Sequence, residues 1–221
     1  MTIEIICPLY KAEKYIEKLH KSLIMQEKVN ISNIKYIVTK SNDNTTKILD
    51  DLNMGYEEIL PSTFSHSLTR ENAAKKSNAD IIVFITQDIV IKDKLWLYFL
   101  TKDIQEGSCE ATYSRQIAKD DGIEKYTRER NYPEQSRIFT KKDVENLGIK
   151  AFFSSDASSA IKREIFDKLN YYDGKNLPTS EDMYITYKLI MNGYRVKYCA
   201  DSVIYHSHDY SRRPSGLRKT R

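Results

Sequence analysis

The sequence predicts an α/β fold, a single Rossmann-like domain whose mainly parallel central sheet is flanked by helices. Three observations carry that prediction. Ile81 to Ile85 form an uninterrupted apolar run, β-branched apart from Phe84, and read as a strand buried on both faces in the middle of a sheet. Strand candidates alternate with helical segments through the first half, which is the pattern of βαβ units. The chain has 221 residues, 40% hydrophobic and 30% charged, enough for a sizeable core in one large or two small domains.

The elements follow in order. Ile3 to Cys7 is a short apolar run stopped by Pro8, a first strand. Ala12, Ile16, Leu19 and Leu23 then recur at helical spacing and predict an amphipathic helix. Lys35 to Thr39 is a second strand, leading through a polar loop with helix-capping residues into a helix over Lys47 to Leu52. Tyr56 to Leu60 is a third strand ended by Pro61, and a helix over Ser67 to Lys76 leads to the strand at 81–85. The second half is less regular. A helix is expected over Lys92 to Asp103, a strand over Ala111 to Arg115, and a mobile, mostly charged and polar loop with short helices over 118–137. Helices are expected over Ala160 to Leu169 and over Glu181 to Met191, the latter stopped by Gly193. Two strands, Tyr194 to Cys199 and Ser202 to Tyr205, close the fold.

Composition narrows the function classes. The net charge of +4 is concentrated at one end, because Arg212, Arg213, Arg218, Lys219 and Arg221 supply five positive charges within the last ten residues. The rest of the chain is close to neutral, which argues against a nucleic-acid binder. Residues 210–221 read as a basic tail, disordered or the start of a C-terminal extension, with contact to anionic lipid headgroups as a further option. Cys7, Cys109 and Cys199 have neither metal-type spacing nor the even number of a disulfide framework, so a reducing cytoplasm is expected. No apolar stretch approaches the ~18 residues that span a bilayer.

Three polar clusters should lie at strand ends or helix starts. The first is Thr86-Gln87-Asp88, directly after the buried strand. Ligands in open α/β sheets bind beyond such strand ends, and a carboxylate there is placed for a metal or a metal-bound phosphate. Asp88 is equally a turn residue or the cap of a helix starting near Lys92. The second cluster, Ser180-Glu181-Asp182, opens a helix. Acidic residues in a first turn are stabilised by the macrodipole and capped by Thr179 or Ser180, yet the same geometry aims a carboxylate into a cleft as a general base. The third is His206-Ser207-His208, whose two imidazoles share one side of an extended segment and can ligate a metal or simply sit at the surface.

Taken in order along the chain, these residues resemble the inverting glycosyltransferases of family 2, which have the GT-A fold. The resemblance runs from Ile3 to about Asp209, so that residues 1–209 would be the GT-A domain. Ile5-Ile-Cys-Pro-Leu-Tyr is similar to the family's first strand and Pro-x-Tyr turn, and Ser41-Asn-Asp-Asn-Thr to its Ser-x-Asp-x-Thr loop. Thr69-Arg70 matches the arginine-bearing helix, Asp88 the last carboxylate of D-x-D, and Glu181-Asp182 the Glu-Asp pair. Within the family the chain looks most like bacterial rhamnosyltransferases. The marks are Phe84-Ile-Thr-Gln-Asp, Arg115-Gln116, Asn131-Tyr-Pro-Glu-Gln-Ser-Arg137, Leu147-Gly-Ile-Lys-Ala-Phe-Phe-Ser-Ser, Glu181-Asp-Met and His206-Ser-His. Two positions depart from the common pattern. Thr86 stands where D-x-D has its first Asp, and Thr39 where many relatives have an Asp on the pyrimidine.

The resemblance implies roles. Pro8, Tyr10 and Thr39 would line the base and ribose pocket, with Arg70, Thr86 and Gln87 also on the donor side. Asp88 would bind Mg²⁺ or Mn²⁺, and His206 or His208 would complete that site. Asp182 would take the proton of the acceptor hydroxyl, while Glu181, Arg115 and Gln116 shape the sugar and acceptor pocket. The implied reaction moves a sugar, L-rhamnose from dTDP-β-L-rhamnose, onto a hydroxyl of a cell-surface polysaccharide or lipid-linked precursor. The expected partners are thus a nucleotide-sugar donor and a saccharide acceptor, in the cytoplasm or against the inner face of the cell membrane, with no nucleic acid. Alternatives are a UDP-hexose donor on the same fold, or a non-catalytic nucleotide-sugar-binding module with no use for Asp182. A sugar nucleotidyltransferase is disfavoured. It needs a glycine-rich phosphate loop after the first strand, where this chain has Pro8-Leu-Tyr-Lys-Ala-Glu.

Overall fold

The computed structural model describes residues 1–119 and 121–206. Its elements are β1 (Thr2–Leu9), α1 (Ile16–Ile24), β2 (Asn30–Thr39), α2 (Thr45–Asp51), β3 (Tyr56–Ile59), α3 (His66–Lys75), β4 (Ile81–Ile85) and α4 (Trp96–Gln105). Then follow β5 (Ala111–Ile117), α5 (Ile123–Asn131), β6 (Arg137–Phe139), α6 (Val144–Leu147), β7 (Ser158–Lys162), α7 (Arg163–Lys168), α8 (Glu181–Met191) and β8 (Val196–Tyr205). Among the described residues the strands form one sheet in the order β3-β2-β1-β4-β7-β5-β8-β6. The strands β3, β2, β1 and β4 run parallel, as do β5 and β8. The mainly parallel sheet is therefore as expected, with an antiparallel strand, β7, at its centre and another, β6, at one edge.

β4 explains why the sheet forms where it does. All five of its residues are buried. Ile81, Val83 and Ile85 pack into one core with Leu19 and Leu23 of α1, Leu49 of α2 and Trp96 of α4. Ile82 and Phe84 pack into the other with Ala73 and Ala74 of α3, Phe166 of α7 and Leu189 of α8. Each such side chain is worth ~1.5–3 kcal/mol on burial, so a strand apolar on both faces is driven to the middle layer.

Two expectations for the second half are corrected, and a third is made more definite. The helix expected over Ala160 to Leu169 is a strand, β7, until Lys162, and only then a helix. Ala160 and Ile161 fill the gap between β4 and β5, and sheet pairing there overrides local helix propensity. The two expected closing strands are one, β8. Its register on β5 jumps from Cys199 opposite Ser114 to Val203 opposite Arg115, extruding the intervening residues. That bulge is held by Ser202 Oγ, 2.8 Å from Ser114 Oγ and donating at 3.1 Å to the Trp96 carbonyl. The stretch 118–137, expected as a loop with short helices, holds one helix, α5, and runs into the edge strand β6.

The bulge matters for function because it sets where β8 ends. Beyond it, Tyr205 bridges Val90 through paired backbone hydrogen bonds of 2.8 and 2.9 Å, and His206 N donates to the Ile117 carbonyl at 2.9 Å. The segment after β4 and the end of β8 are thereby pinned side by side.

Candidate active site

The site lies at the carboxyl edge of the sheet, where β1, β2, β4, β5 and β8 deliver their last residues. Gln87 ties two of these ends together. Its Oε1 accepts from Tyr10 N at 2.8 Å and its Nε2 donates to the Tyr10 carbonyl at 2.9 Å. β1, expected to stop at Pro8, runs on through it to Leu9, and the half-exposed Tyr10 that follows is thereby fixed against the turn after β4. Thr39, at the end of β2, is buried, and its hydroxyl has no hydrogen-bond partner among the described residues.

Asp88 does not cap a helix, since α4 begins only at Trp96. Its carboxylate instead faces the end of β8, with Oδ2 3.2 Å from His206 Nε2. Burial pushes the Asp88 carboxyl up, but the hydrogen bond and charge of His206, with Thr86, outweigh it and hold the group well below the usual carboxylate range. Lys119 reaches over from the end of β5 and donates to the main-chain carbonyl of Asp88. His206 Nδ1 lies 3.0 Å from Gln116 Oε1. His208, the other histidine expected at the metal, lies outside the described residues.

A carboxylate held ionised and an imidazole nitrogen form an O,N donor pair suited to a divalent cation of the Mg²⁺ or Mn²⁺ kind. No cluster of three or more His, Cys, Asp or Glu suited to a metal occurs among the described residues. Two protein donors leave coordination positions for the oxygens of a diphosphate and for water, so the residues present fit a cation shared with a substrate.

The second half of the site opens α8. Ser180 does not cap the helix with its side chain; it adopts a left-handed backbone, φ 61°, that turns the chain sharply into the first helical turn. Glu181 is buried and accepts from Arg70 Nη1 at 3.2 Å, with His66 Nδ1 at 3.8 Å. Arg70 is itself buried in α3, and its Nε lies 3.7 Å from Asp156 Oδ2. Expected on the donor side, Arg70 therefore has its guanidinium in the acidic cluster. Asp156 also accepts from Ser159 Oγ at 2.6 Å and Tyr172 OH at 3.1 Å.

One guanidinium thus pairs with two carboxylates, Glu181 and Asp156, and a third, Asp182, lies next to Glu181 in the chain and in the field of both. Asp182 bears the imbalance: burial first, then the charges of Asp156 and Glu181, push its carboxyl up to about 7. Its backbone carbonyl is held by Ser154 Oγ at 2.9 Å, and its Oδ1 accepts from Met183 N at 2.7 Å, so the side chain is oriented but only partly hidden. A carboxylate that titrates near neutrality is matched to general-base work.

Beside Asp182, Met183 forms part of the wall of a cleft of about 640 Å³ between α5, β6 and the loop before β7. Tyr113, Tyr126 and Phe153 give it aromatic faces, and Arg130 and Lys150 are in its lining. A second hollow of about 340 Å³ lies between the end of β5 and α5, lined by Arg115, Gln116, Lys119 and Arg128 among others. Arg115, expected to shape the sugar pocket, is in that lining and pairs with Glu134 at 3.0 Å. Gln116, expected beside it, is buried with its amide turned to His206.

Asp156 and Arg128 escaped the sequence reading. Asp156 stood one residue beyond a recognised Phe-Phe-Ser-Ser stretch, in a run of small polar residues that hides a buried carboxylate. Arg128 lies in the stretch read as a charged and polar loop with short helices.

The family model for "Glycosyl transferase family 2" matches residues 4–169. The O-antigen chain rhamnosyltransferase RfbN of Salmonella typhimurium is 32% identical over 217 residues, covering 96% of this chain and 68% of that protein. The O-antigen chain rhamnosyltransferase WbaN of Salmonella anatum is 31% identical over 185 residues, covering 82% of this chain and 58% of that protein. Among solved structures, S. aureus TarS superposes with a TM-score of 0.73 at 19% identity, over 94% of this chain and 60% of that one. The mannosyltransferase PcManGT from Pyrobaculum calidifontis, in complex with GDP-Man and Mn²⁺, superposes with a TM-score of 0.67 at 16% identity, over 92% and 56%. At those identities the structures speak to the fold, which is GT-A. The chain spans only part of each relative's length. The match over most of its own length is nonetheless decisive: the chain belongs to glycosyl transferase family 2 and is a glycosyltransferase similar to the O-antigen rhamnosyltransferases.

Proposed function

We propose that this protein transfers a sugar, L-rhamnose from dTDP-β-L-rhamnose, to a hydroxyl of a cell-surface polysaccharide or its lipid-linked precursor, with inversion at the anomeric carbon. The observation that carries the reading is Asp182, a partly buried carboxyl raised to about 7 beside a cleft with aromatic walls. The similarity to two O-antigen rhamnosyltransferases supports the choice of sugar.

The residues divide the work. Pro8, Tyr10 and Thr39 line the base and ribose, with Gln87 bracing the Tyr10 turn and Thr86 beside Asp88. Asp88 and His206 would hold a divalent cation, whose chemistry there is to neutralise the charge that develops on the diphosphate. Asp182 accepts the proton of the acceptor hydroxyl as its oxygen forms a bond to the anomeric carbon. The bond from that carbon to the diphosphate oxygen breaks, and the nucleoside diphosphate leaves with the electron pair. Attack opposite the leaving group converts a β-linked donor into an α-rhamnoside. A positioned base contributes ~10²–10⁴-fold to such a step. Arg70 holds Glu181 and Asp156 in place, and among the described residues Asp182 has no ion-pair partner. Tyr113, Tyr126 and Phe153 offer flat apolar faces to the acceptor saccharide.

The donor is tested by calorimetry with dTDP-rhamnose, UDP-glucose, UDP-galactose and UDP-N-acetylglucosamine, each with and without Mn²⁺. The expected result is metal-dependent binding strongest for dTDP-rhamnose. Preference for a UDP-hexose would overturn the sugar assignment while leaving the site intact. Among the described residues no helix is long and apolar enough to cross a membrane. Work at the inner membrane face, on a lipid-linked acceptor, is part of the proposal.

A further inference from the structure

Gln116, at the end of β5, is 2% exposed, and its side-chain oxygen faces two groups at once. One is Nδ1 of His206, at 3.0 Å. The other is the guanidinium of Arg128, which donates to it from α5. The amide nitrogen of Gln116 is buried with no hydrogen-bond partner among the described residues. Burying an amide N–H₂ unsatisfied is unfavourable, so something must dictate that orientation.

Arg128 does. A guanidinium has donors and no acceptor, so the atom of Gln116 that faces it has to be the carbonyl oxygen. The same oxygen faces His206, so Nδ1 of His206 has to be the N–H that donates to it. With Nδ1 held as a donor, Nε2 is the nitrogen that a cation can take over from its hydrogen bond to Asp88. A metal-binding imidazole needs this arrangement, with one nitrogen on the cation and the other donating to an acceptor that fixes the tautomer. Arg128 is well placed to be a fixed donor. Its side chain is 12% exposed, Glu124 lies 3.8 Å away one helical turn earlier, and its Nε is buried.

We propose that Arg128 is a positioning residue that, by fixing the amide of Gln116, commits His206 to the Nδ1–H tautomer and so makes Nε2 a ligand for the divalent cation. This rests on the reading of Asp88 and His206 as the cation's holders. Without Arg128 the Gln116 amide is free to turn over and present its N–H₂ to Nδ1. Nδ1 then becomes the acceptor, the ring proton moves to Nε2, and Nε2–H donates to Asp88. Both protein donors are then engaged with each other.

The test uses the whole chain with dTDP, or UDP if that is the nucleotide that binds. Mn²⁺ is titrated by electron paramagnetic resonance, and the ¹⁵N shifts of His206 are read in the Mg²⁺-loaded protein. In the wild type, Nδ1 should carry the proton and Nε2 should respond to Mg²⁺. Arg128→Met should weaken Mn²⁺ binding ~10–100-fold and move the ring proton to Nε2. Adding Gln116→Glu to Arg128→Met supplies a carboxylate that accepts in either orientation, and should restore the tautomer and most of the affinity. A general loss of structure would not be rescued this way. If Arg128→Met keeps both the wild-type tautomer and the wild-type affinity, the role of Arg128 is refuted while the metal site stands. If His206→Ala binds Mn²⁺ as well as wild type, the metal site itself falls, and this proposal with it.

Discussion

His206 Nε2 lies 3.2 Å from Asp88 Oδ2, although the two residues are far apart in sequence. The contact exists because β4 and β8 end at the same edge of the sheet and are locked there by the Val90–Tyr205 bridge. A donor pair built this way belongs to the scaffold and is in place before any ligand arrives. His206→Ala and Asp88→Asn should therefore each abolish the Mn²⁺ enhancement of nucleotide binding, with some loss of melting temperature because each removes one half of a contact that favours the folded state. Calorimetry with and without a chelator reads this directly, and metal-enhanced binding in both variants would remove the site.

The pH profile should carry the mark of Asp182. A general base works only when deprotonated, so kcat/KM should fall about tenfold per pH unit below a pKa of about 7 and level off above it. After burial, the charge of Asp156 contributes most to that elevation. Asp156→Asn should therefore move the acid limb to lower pH, measured as a shift of the midpoint. An unmoved midpoint would mean that the acidic cluster does not tune the base.

The same carboxyl has a linked effect on stability. Its folded pKa is raised above the ordinary value, so the proton it retains favours the folded state. That contribution is full below the unfolded pKa and is lost as pH rises through about 7. At pH 8 the wild type holds a partly buried, unbalanced carboxylate. Asp182→Asn should then be more stable than wild type by ~1–2 kcal/mol at pH 8, with the gain shrinking towards pH 5. Denaturant unfolding at the two pH values checks both the sign and the trend.

Arg70 is the counterweight. It is buried, and its guanidinium faces Glu181 and Asp156. Arg70→Met leaves those carboxylates unpaired and should cost ~3–5 kcal/mol of folding stability. The double variant with Asp156→Asn should recover part of that loss, and a double-mutant cycle measures the coupling.

Gln87 offers a milder test. Its two hydrogen bonds to the Tyr10 backbone join the turns after β1 and β4. Gln87→Ala should weaken nucleotide binding about 5–30-fold, as loss of one or two such bonds implies, with the metal dependence preserved. Unchanged affinity would place the nucleotide elsewhere.

What the sequence displayed and what it concealed divide along physical lines. The apolar run of β4 was readable because a strand buried on both faces leaves no polar residue to confuse its periodicity. Asp88 and the Glu181-Asp182 pair were readable as polar residues at element ends. β7 was not, because Ala160 and Ile161 suit helix and strand alike and only the space between β4 and β5 decides. Nor was the β8 bulge, whose reason is a hydroxyl contact between Ser202 and Ser114 far away in sequence. Asp156 and Arg128 belong to the same class. Each acts through partners on other elements, so their importance lies in three-dimensional pairing that local composition does not record.

The central claim is that Asp182 activates the acceptor while other residues bind the donor. Single-turnover transfer by Asp182→Asn, with donor binding measured on the same protein, tests it most directly. The account predicts donor affinity within a few-fold of wild type and transfer slowed by ~10²-fold or more. Transfer at the wild-type rate with donor binding intact would contradict it.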